Sequence, residues 1–204
     1  MDLIFNREAS SKFGAFKKAM FARTRQPLLG DLTNVCIKQC WYTCQASRTR
    51  LLYDNHTQVT KLSSEINCLR WGSALMKLVY DFITEQCASR GDPPFEIPQM
   101  RFVHTALAIT KNTSCDTYMV EEVIDEAEDD EFVKYIGNGS AKPCRHLQKD
   151  HAHRAEFLTF CQHVQYLKTK MLAFVGDFQG TSNSDLLYSS TSSQLSNFQA
   201  TKVS

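Results

Sequence analysis

Between Ser64 and Gln86 the apolar residues Ile66, Leu69, Leu75, Leu78, Val79, Phe82 and Ile83 return in steps of three and four. Only one face of an α-helix satisfies that spacing, so a long helix is expected here with one stripe buried. Ser63 or Ser64 is placed to cap it, and Glu65 to occupy its first turn, where the helix end favours a carboxylate. The segment Arg90-Gly91-Asp92-Pro93-Pro94 ends it and opens a loop.

The flanks of this helix read as strands. Gly14 to Ala19 alternates small or apolar with polar residues, and Arg25 to Asp31 is a turn punctuated by Pro27 and Gly30. Val35 to Tyr42 is rich in strand formers, with Val35, Ile37 and Trp41 on one face and Lys38 on the other. Met100 to Ile109 reads as a strand or strand pair, and Thr117 to Val120 as a further short strand. Glu156 to Tyr166 is expected to be helical, and Met171 to Val175 an apolar strand leading into Gly176-Asp177-Phe178-Gln179-Gly180. From Thr181 to Ser204, eleven of 24 residues are Ser or Thr. That composition buries too little apolar area to offset its ordering entropy, so a mostly disordered tail is expected there.

Net charge is +1, from 23 basic and 22 acidic side chains, with no basic stripe. A nucleic-acid partner is therefore not expected. No run reaches the roughly eighteen apolar residues that cross a bilayer, so no membrane partner is expected. Met1 to Ser10 lacks the apolar core of a secretory signal. A soluble, cytoplasmic protein follows, with its eight cysteines as free thiols. Cys36, Cys40 and Cys44 are spaced by four, which suits buried strand cysteines better than a zinc site.

Several side chains invite chemistry. Lys38 interrupts an apolar strand; either its stem covers apolar surface while the ammonium reaches solvent, or it holds a polyphosphate. Glu65 either serves the helix terminus or pairs with a strand lysine. Asp177 and Gln179 end an apolar strand beside Gly180, the setting of a turn aspartate or of a base and metal ligand. His146, His151 and His153 read as a solvated connector, and His163, among Phe160-Cys161-Gln162, as a core histidine or a ligand. Eight of the eleven residues from Glu121 to Glu131 are acidic. They lack the central glycine of an EF-hand loop and read as a solvated hairpin tip. No G-x-G-x-x-G, Walker A, H-R-D, D-F-G or G-x-S-x-G pattern is present, which excludes conventional kinases, P-loop enzymes and serine hydrolases in their standard forms.

The order of the segments Gly14 to Ala19, Val35 to Lys38, Glu65 to Trp71, Arg101 to Ile109, Glu121-Glu122, Glu131-Phe132-Val133-Lys134-Tyr135, Phe160 to His163 and Asp177-Phe178-Gln179-Gly180 resembles the alpha-type protein kinases, the family of myosin heavy chain kinases and elongation factor 2 kinase. The resemblance covers residues 12 to 180, after an extension of residues 1 to 11 and before a tail of residues 181 to 204. It implies an α+β, two-lobed kinase-like fold and transfer of the ATP γ-phosphate to Ser or Thr of a protein substrate. Under it Lys38 matches the lysine on the ATP phosphates, and Glu65 lies on the helix packed beside it. Glu121 and Glu122 match the adenine-binding linker, Asp177 the catalytic aspartate and Gln179 the magnesium ligand. Lys134 matches a basic residue of unassigned role. His163 matches the first ligand of a structural zinc. The family's T-D-P acid is replaced by Leu186-Leu187-Tyr188-Ser189-Ser190, with Asp185 the nearest acid, and the family's remaining zinc ligands and later glycine-rich loop have no counterpart in these 204 residues. The second lobe is accordingly expected to be incomplete. A nucleotide-binding pseudokinase or a truncated fragment is the alternative.

Overall fold

The computed structural model describes residues 3–5, 11–111, 113–123, 132–138, 140–181 and 186–188. In chain order the elements are β1 (Leu3–Phe5), β2 (Lys12–Phe13), β3 (Lys17–Thr24), β4 (Asn34–Thr43), β5 (Arg50–Leu52), α1 (Asn55–Arg90), β6 (Arg101–Phe102), β7 (Thr105–Ile109), β8 (Thr117–Glu122), β9 (Phe132–Ile136), α2 (Lys149–Lys168), β10 (Phe178–Thr181) and β11 (Leu186–Tyr188). The fold is mixed α+β. The chain divides into two compact units, one of Met1–Asn67 with Val103–Ile124, the other of Cys68–Phe102 with Asp125–Ser204. The long helix contributes to both.

The first unit is built on a sheet of order β1-β3-β4-β8-β7, with β2 on β3 and β5 on β4. Every pairing in it is antiparallel. Such a sheet sends alternate residues to opposite faces. One face carries Val35 and Ile37 of β4, opposite Ala22 and Met20 of β3 and Glu122 and Val120 of β8. Its apolar members form a core with Leu29, Ala108 and Tyr118. The turn that supplies Leu28 and Leu29 to this core folds back through Gly30, whose φ of 65° suits a residue without a Cβ. The opposite face carries Lys17, Ala19, Cys36, Lys38, Met119 and Glu121, as the cross-strand register requires. Lys38 therefore stands on the face away from Val35 and Ile37, as the strand's alternation indicates.

The helix begins nine residues before the point that its apolar stripe suggests. Asp54 caps it in place of Ser63 or Ser64: its carboxylate accepts the Thr57 N–H at 3.0 Å and the Thr57 hydroxyl at 2.7 Å. Glu65 thus lies well inside α1, where the stabilisation expected at a helix N-terminus does not reach it. The extra turns are held by Gln58, which is buried. Its side chain accepts the Cys40 N–H at 2.8 Å and donates to the Cys40 carbonyl at 2.7 Å. At the other end Gly91, with φ of 86°, donates its N–H to the Cys87 carbonyl at 2.8 Å and closes the helix.

The second unit has a four-stranded sheet of order β6-β11-β10-β9, in which only β6 and β11 run parallel. Phe178 is fully buried and its ring lies 6.1 Å from that of Phe102. The strand β11 corrects the expected tail: Leu186-Leu187 pairs with Arg101-Phe102, and the full burial of Leu187 helps offset the ordering of a three-residue strand. Residues 182–185 and 189–204 lie outside the described residues, as do 124–131, the larger part of the acidic run. Glu121 and Glu122, the described start of that run, are buried in β8 rather than solvated.

α2 is longer than its apolar core. It takes in His151 and His153, expected in a connector, and buries Ala155, Leu158, Cys161, Gln162, Val164 and Gln165. His163 is exposed on it, not a core residue, because that stripe turns the neighbouring positions inward. Met171 to Val175 is not a strand. It forms a turn and loop with Met171, Leu172 and Phe174 exposed, since Lys170 and Met171 both take left-handed backbone angles.

Candidate functional site

The residues singled out by sequence fall into two groups, one in each unit. In the first unit, four charges stand on or over one sheet face. Lys38 of β4 forms an ion pair with Glu121 of the adjacent β8, and Lys17 of β3 forms one with Glu65 of α1. The Glu121 side chain is 3% exposed and that of Lys38 is 20% exposed. Burial alone would push the Lys38 ammonium toward neutrality. The charge and hydrogen bond of Glu121, together with Cys36 and Glu65, outweigh it and hold the lysine above its ordinary value. The same face presents Cys36, whose thiol burial pushes up despite the nearby lysines. The arrangement is a half-buried, permanently charged ammonium held by a buried carboxylate. It can bind an anion only by sharing the lysine with Glu121.

Glu122, next along β8, points to the opposite face and binds the chain that enters β7. Its carboxylate accepts the His104 N–H at 3.1 Å, and its own N–H donates to the His104 carbonyl at 3.0 Å. Glu121 and Glu122 are therefore parts of a paired strand, not of an extended connector. The helix glutamate Glu65 forms its ion pair with Lys17, and its charge also acts on Lys38. Lys17 carried no assigned role in the sequence; its position on the same side of β3 as Ala19, opposite Lys38, is the signal that could have found it.

In the second unit, Asp177 is 3% exposed and lies 3.4 Å from the Lys134 ammonium. Two glutamines of α2 fix the chain just before it: Gln162 donates to the Val175 carbonyl at 2.8 Å, and Gln165 accepts the Val175 N–H at 2.9 Å. Gln179 stands opposite Lys134 in the β10–β9 pair, with an irregularity in register between Phe178 and Gln179. The segments Phe132-Val133-Lys134-Tyr135 and Asp177-Phe178-Gln179-Gly180 are thus brought together by the pairing of β9 with β10. One carboxylate and one amide here match the few protein ligands that magnesium takes when phosphate and water complete its shell.

Zinc does not fit. His163 is exposed on α2, and no group of three or more His, Cys, Asp or Glu side chains suited to a metal occurs among the described residues. The eight cysteines are free thiols. A cavity of about 790 Å³ also lies in this unit, between the end of α1, the loop of Gly91 to Pro98 and α2; Phe82, Phe95, Phe157 and Phe160 line it, and none of the sequence-assigned site residues does. No described helix is long and apolar enough to cross a membrane.

A scan against protein-family models finds no match for the chain, and no curated protein matches it.

Proposed function

We propose that this chain is an alpha-type protein serine/threonine kinase domain, binding ATP with magnesium and transferring the γ-phosphate to a protein hydroxyl. The observation that carries the reading is the Lys38–Glu121 ion pair. A lysine in the middle of a sheet, kept charged by a buried carboxylate, is the element phosphoryl transfer needs to neutralise phosphate oxygens. Asp177 is assigned to accept or orient the substrate hydroxyl proton, with Gln179 and Asp177 as the residues that would hold magnesium. The metal supplies charge neutralisation of the phosphates when bound. Lys134 stands beside Asp177 and is given no further role.

A second reading, a nucleotide-binding pseudokinase, is favoured by one observation. Where the family carries its second magnesium-binding acid, this chain has β11, whose Leu187 is fully buried and cannot supply a ligand.

Melting the purified chain with and without Mg-ATP tests both. A ligand at a hundred times its dissociation constant adds about 2.7 kcal/mol, a clear rise in melting temperature. The shift is expected in the wild type and reduced in Lys38→Met. Phosphate transfer by the wild type that Asp177→Asn abolishes supports the kinase; a shift without any transfer supports the pseudokinase. A cooperative melt that Mg-ATP leaves unmoved overturns both.

A further inference from the structure

The loop that follows α2 carries an unusual combination of properties. Leu167, Met171, Leu172 and Phe174 are 58%, 66%, 71% and 46% exposed, and Tyr166 is 40% exposed. Five large apolar side chains within nine residues thus face solvent, an arrangement that monomeric soluble proteins seldom leave without a use. The backbone is not loose. The N–H groups of Thr169, Lys170, Met171 and Leu172 donate to the carbonyls of Gln165, Leu167, Tyr166 and Thr169. The Ala173 N–H donates to the Thr169 hydroxyl at 3.0 Å, and the Val175 N–H to Gln165 at 2.9 Å. The Thr169 hydroxyl in turn donates to the Ala173 carbonyl at 2.9 Å. Lys170 and Met171 hold φ of 55° and 66°, a conformation that costs non-glycine residues energy. It is maintained while Met171 and Leu172 point outward.

These bonds decide what the loop can touch. A segment enters a medium without water only if its backbone polar groups are satisfied internally. Here six N–H groups between Thr169 and Val175 already are. The edge-on Tyr166–Phe174 pair, 5.9 Å between ring centres, is of the amphipathic kind that settles at headgroup depth. Charge selects among lipid surfaces. From Phe157 to Gly176 the chain has no acidic residue and carries Lys168 and Lys170. Lys168 is paired with Glu85, 3.8 Å away and 68% exposed, which leaves Lys170 as the excess charge. The loop is therefore an apolar tip with a small positive excess, complementary to an anionic surface.

We infer that the loop from Leu167 to Phe174 docks on the surface of anionic lipid bilayers. Contact at the headgroup boundary is distinct from crossing the bilayer and needs no long apolar helix. It is independent of the kinase reading.

The test is sedimentation of the full chain with vesicles of phosphatidylcholine, with and without phosphatidylserine, against a vesicle-free control. The wild type is expected to sediment with the phosphatidylserine vesicles, less at high salt, and weakly with phosphatidylcholine alone. Met171→Asp with Leu172→Asp should abolish binding while leaving the thermal melt cooperative, since both side chains are exposed. Lys170→Gln, which keeps the apolar tip, should weaken binding roughly fivefold at low salt. Binding unchanged in both variants, or no binding by the wild type, overturns the inference. So does a self-associated wild type that becomes monomeric in the double variant without ever sedimenting with vesicles, which would make this patch a contact between copies.

Discussion

Replacing Glu121 by Gln leaves the Lys38 ammonium with its solvation largely removed and its counter-charge gone. Removing one partner of such a pair costs about 3–5 kcal/mol, and the lower end applies because Lys38 keeps a fifth of its side chain in solvent. Urea denaturation of Glu121→Gln measures the loss. The double variant Lys38→Met, Glu121→Leu should recover most of it, because two apolar groups leave no buried charge; a double variant as unstable as the single one would show that the pair contributes through packing alone. Cys161 sets a second expectation. Burial pushes its thiol from 9.0 to about 12. The unfolded chain releases this proton near pH 9 while the folded chain keeps it, so the thiol's contribution is complete below pH 9 and lost as pH rises toward 12. At about 1.36 kcal/mol for each pH unit between the two values, the loss is roughly 4 kcal/mol. Lys38, also raised, adds to the loss above its ordinary value of 10.5. Stability of Cys161→Ala should decline less between pH 9 and 11 than that of the wild type. At this scale the face occupied by Lys38 was legible, because a strand's alternation is local. Its partner was not: Glu121 opens an acidic run that reads as solvated, and pairing across β4 and β8 leaves no local mark.

At the scale of the element, α1 shows why part of the fold escaped the sequence. Its apolar stripe is visible only where apolar residues do the packing. The first turns are held instead by the polar Gln58, bonded at both ends to the Cys40 backbone. Gln58→Leu keeps the volume and takes the acceptor from the buried Cys40 N–H, while the Cys40 carbonyl keeps the Tyr53 N–H at 3.3 Å, so the expected cost is that of one unpaired group, about 1–3 kcal/mol. Gly72 gives the opposite lesson. Replacing a helix glycine by alanine ordinarily stabilises by about 1 kcal/mol. Here a Cβ would stand 2.9 Å from the Phe102 ring, and Phe102 is itself buried against Phe178. Overpacking of this kind costs about 1–3 kcal/mol, so Gly72→Ala should lower the melting temperature, and adding Phe102→Leu should restore part of it. In α2 the buried Gln162 and Gln165 interrupt the apolar stripe in the same way. The run Met171 to Val175 misleads in reverse: it is apolar enough for a strand, yet it is held as a loop by Thr169 and Gln165.

For the whole molecule, the order in which the chain visits its two units governs how they unfold. The first unit takes Met1–Asn67 and then Val103–Ile124; the second takes Cys68–Phe102 and then Asp125–Ser204. Each unit therefore supplies the ends of a segment belonging to the other. If the first unfolds alone, Val103–Ile124 becomes a loop tethered at both ends to folded structure. If the second unfolds alone, Cys68–Phe102 is tethered likewise. Closing a loop of about twenty residues costs roughly 2–3 kcal/mol. A half-unfolded molecule thus gains less entropy than two separate domains would, by an amount comparable with a substantial part of a domain's net stability. Interleaving should therefore merge the two transitions into one. Trp41 reports on the first unit and Trp71 on the second, so Trp71→Phe and Trp41→Phe give one probe for each. Urea curves followed by fluorescence in the two variants, corrected for any change in stability measured by circular dichroism, should share a single midpoint. Two separated midpoints, with the Trp41 signal lost first, would show that the first unit's sheet opens independently, and that the loop tether is too weak to join it to the second.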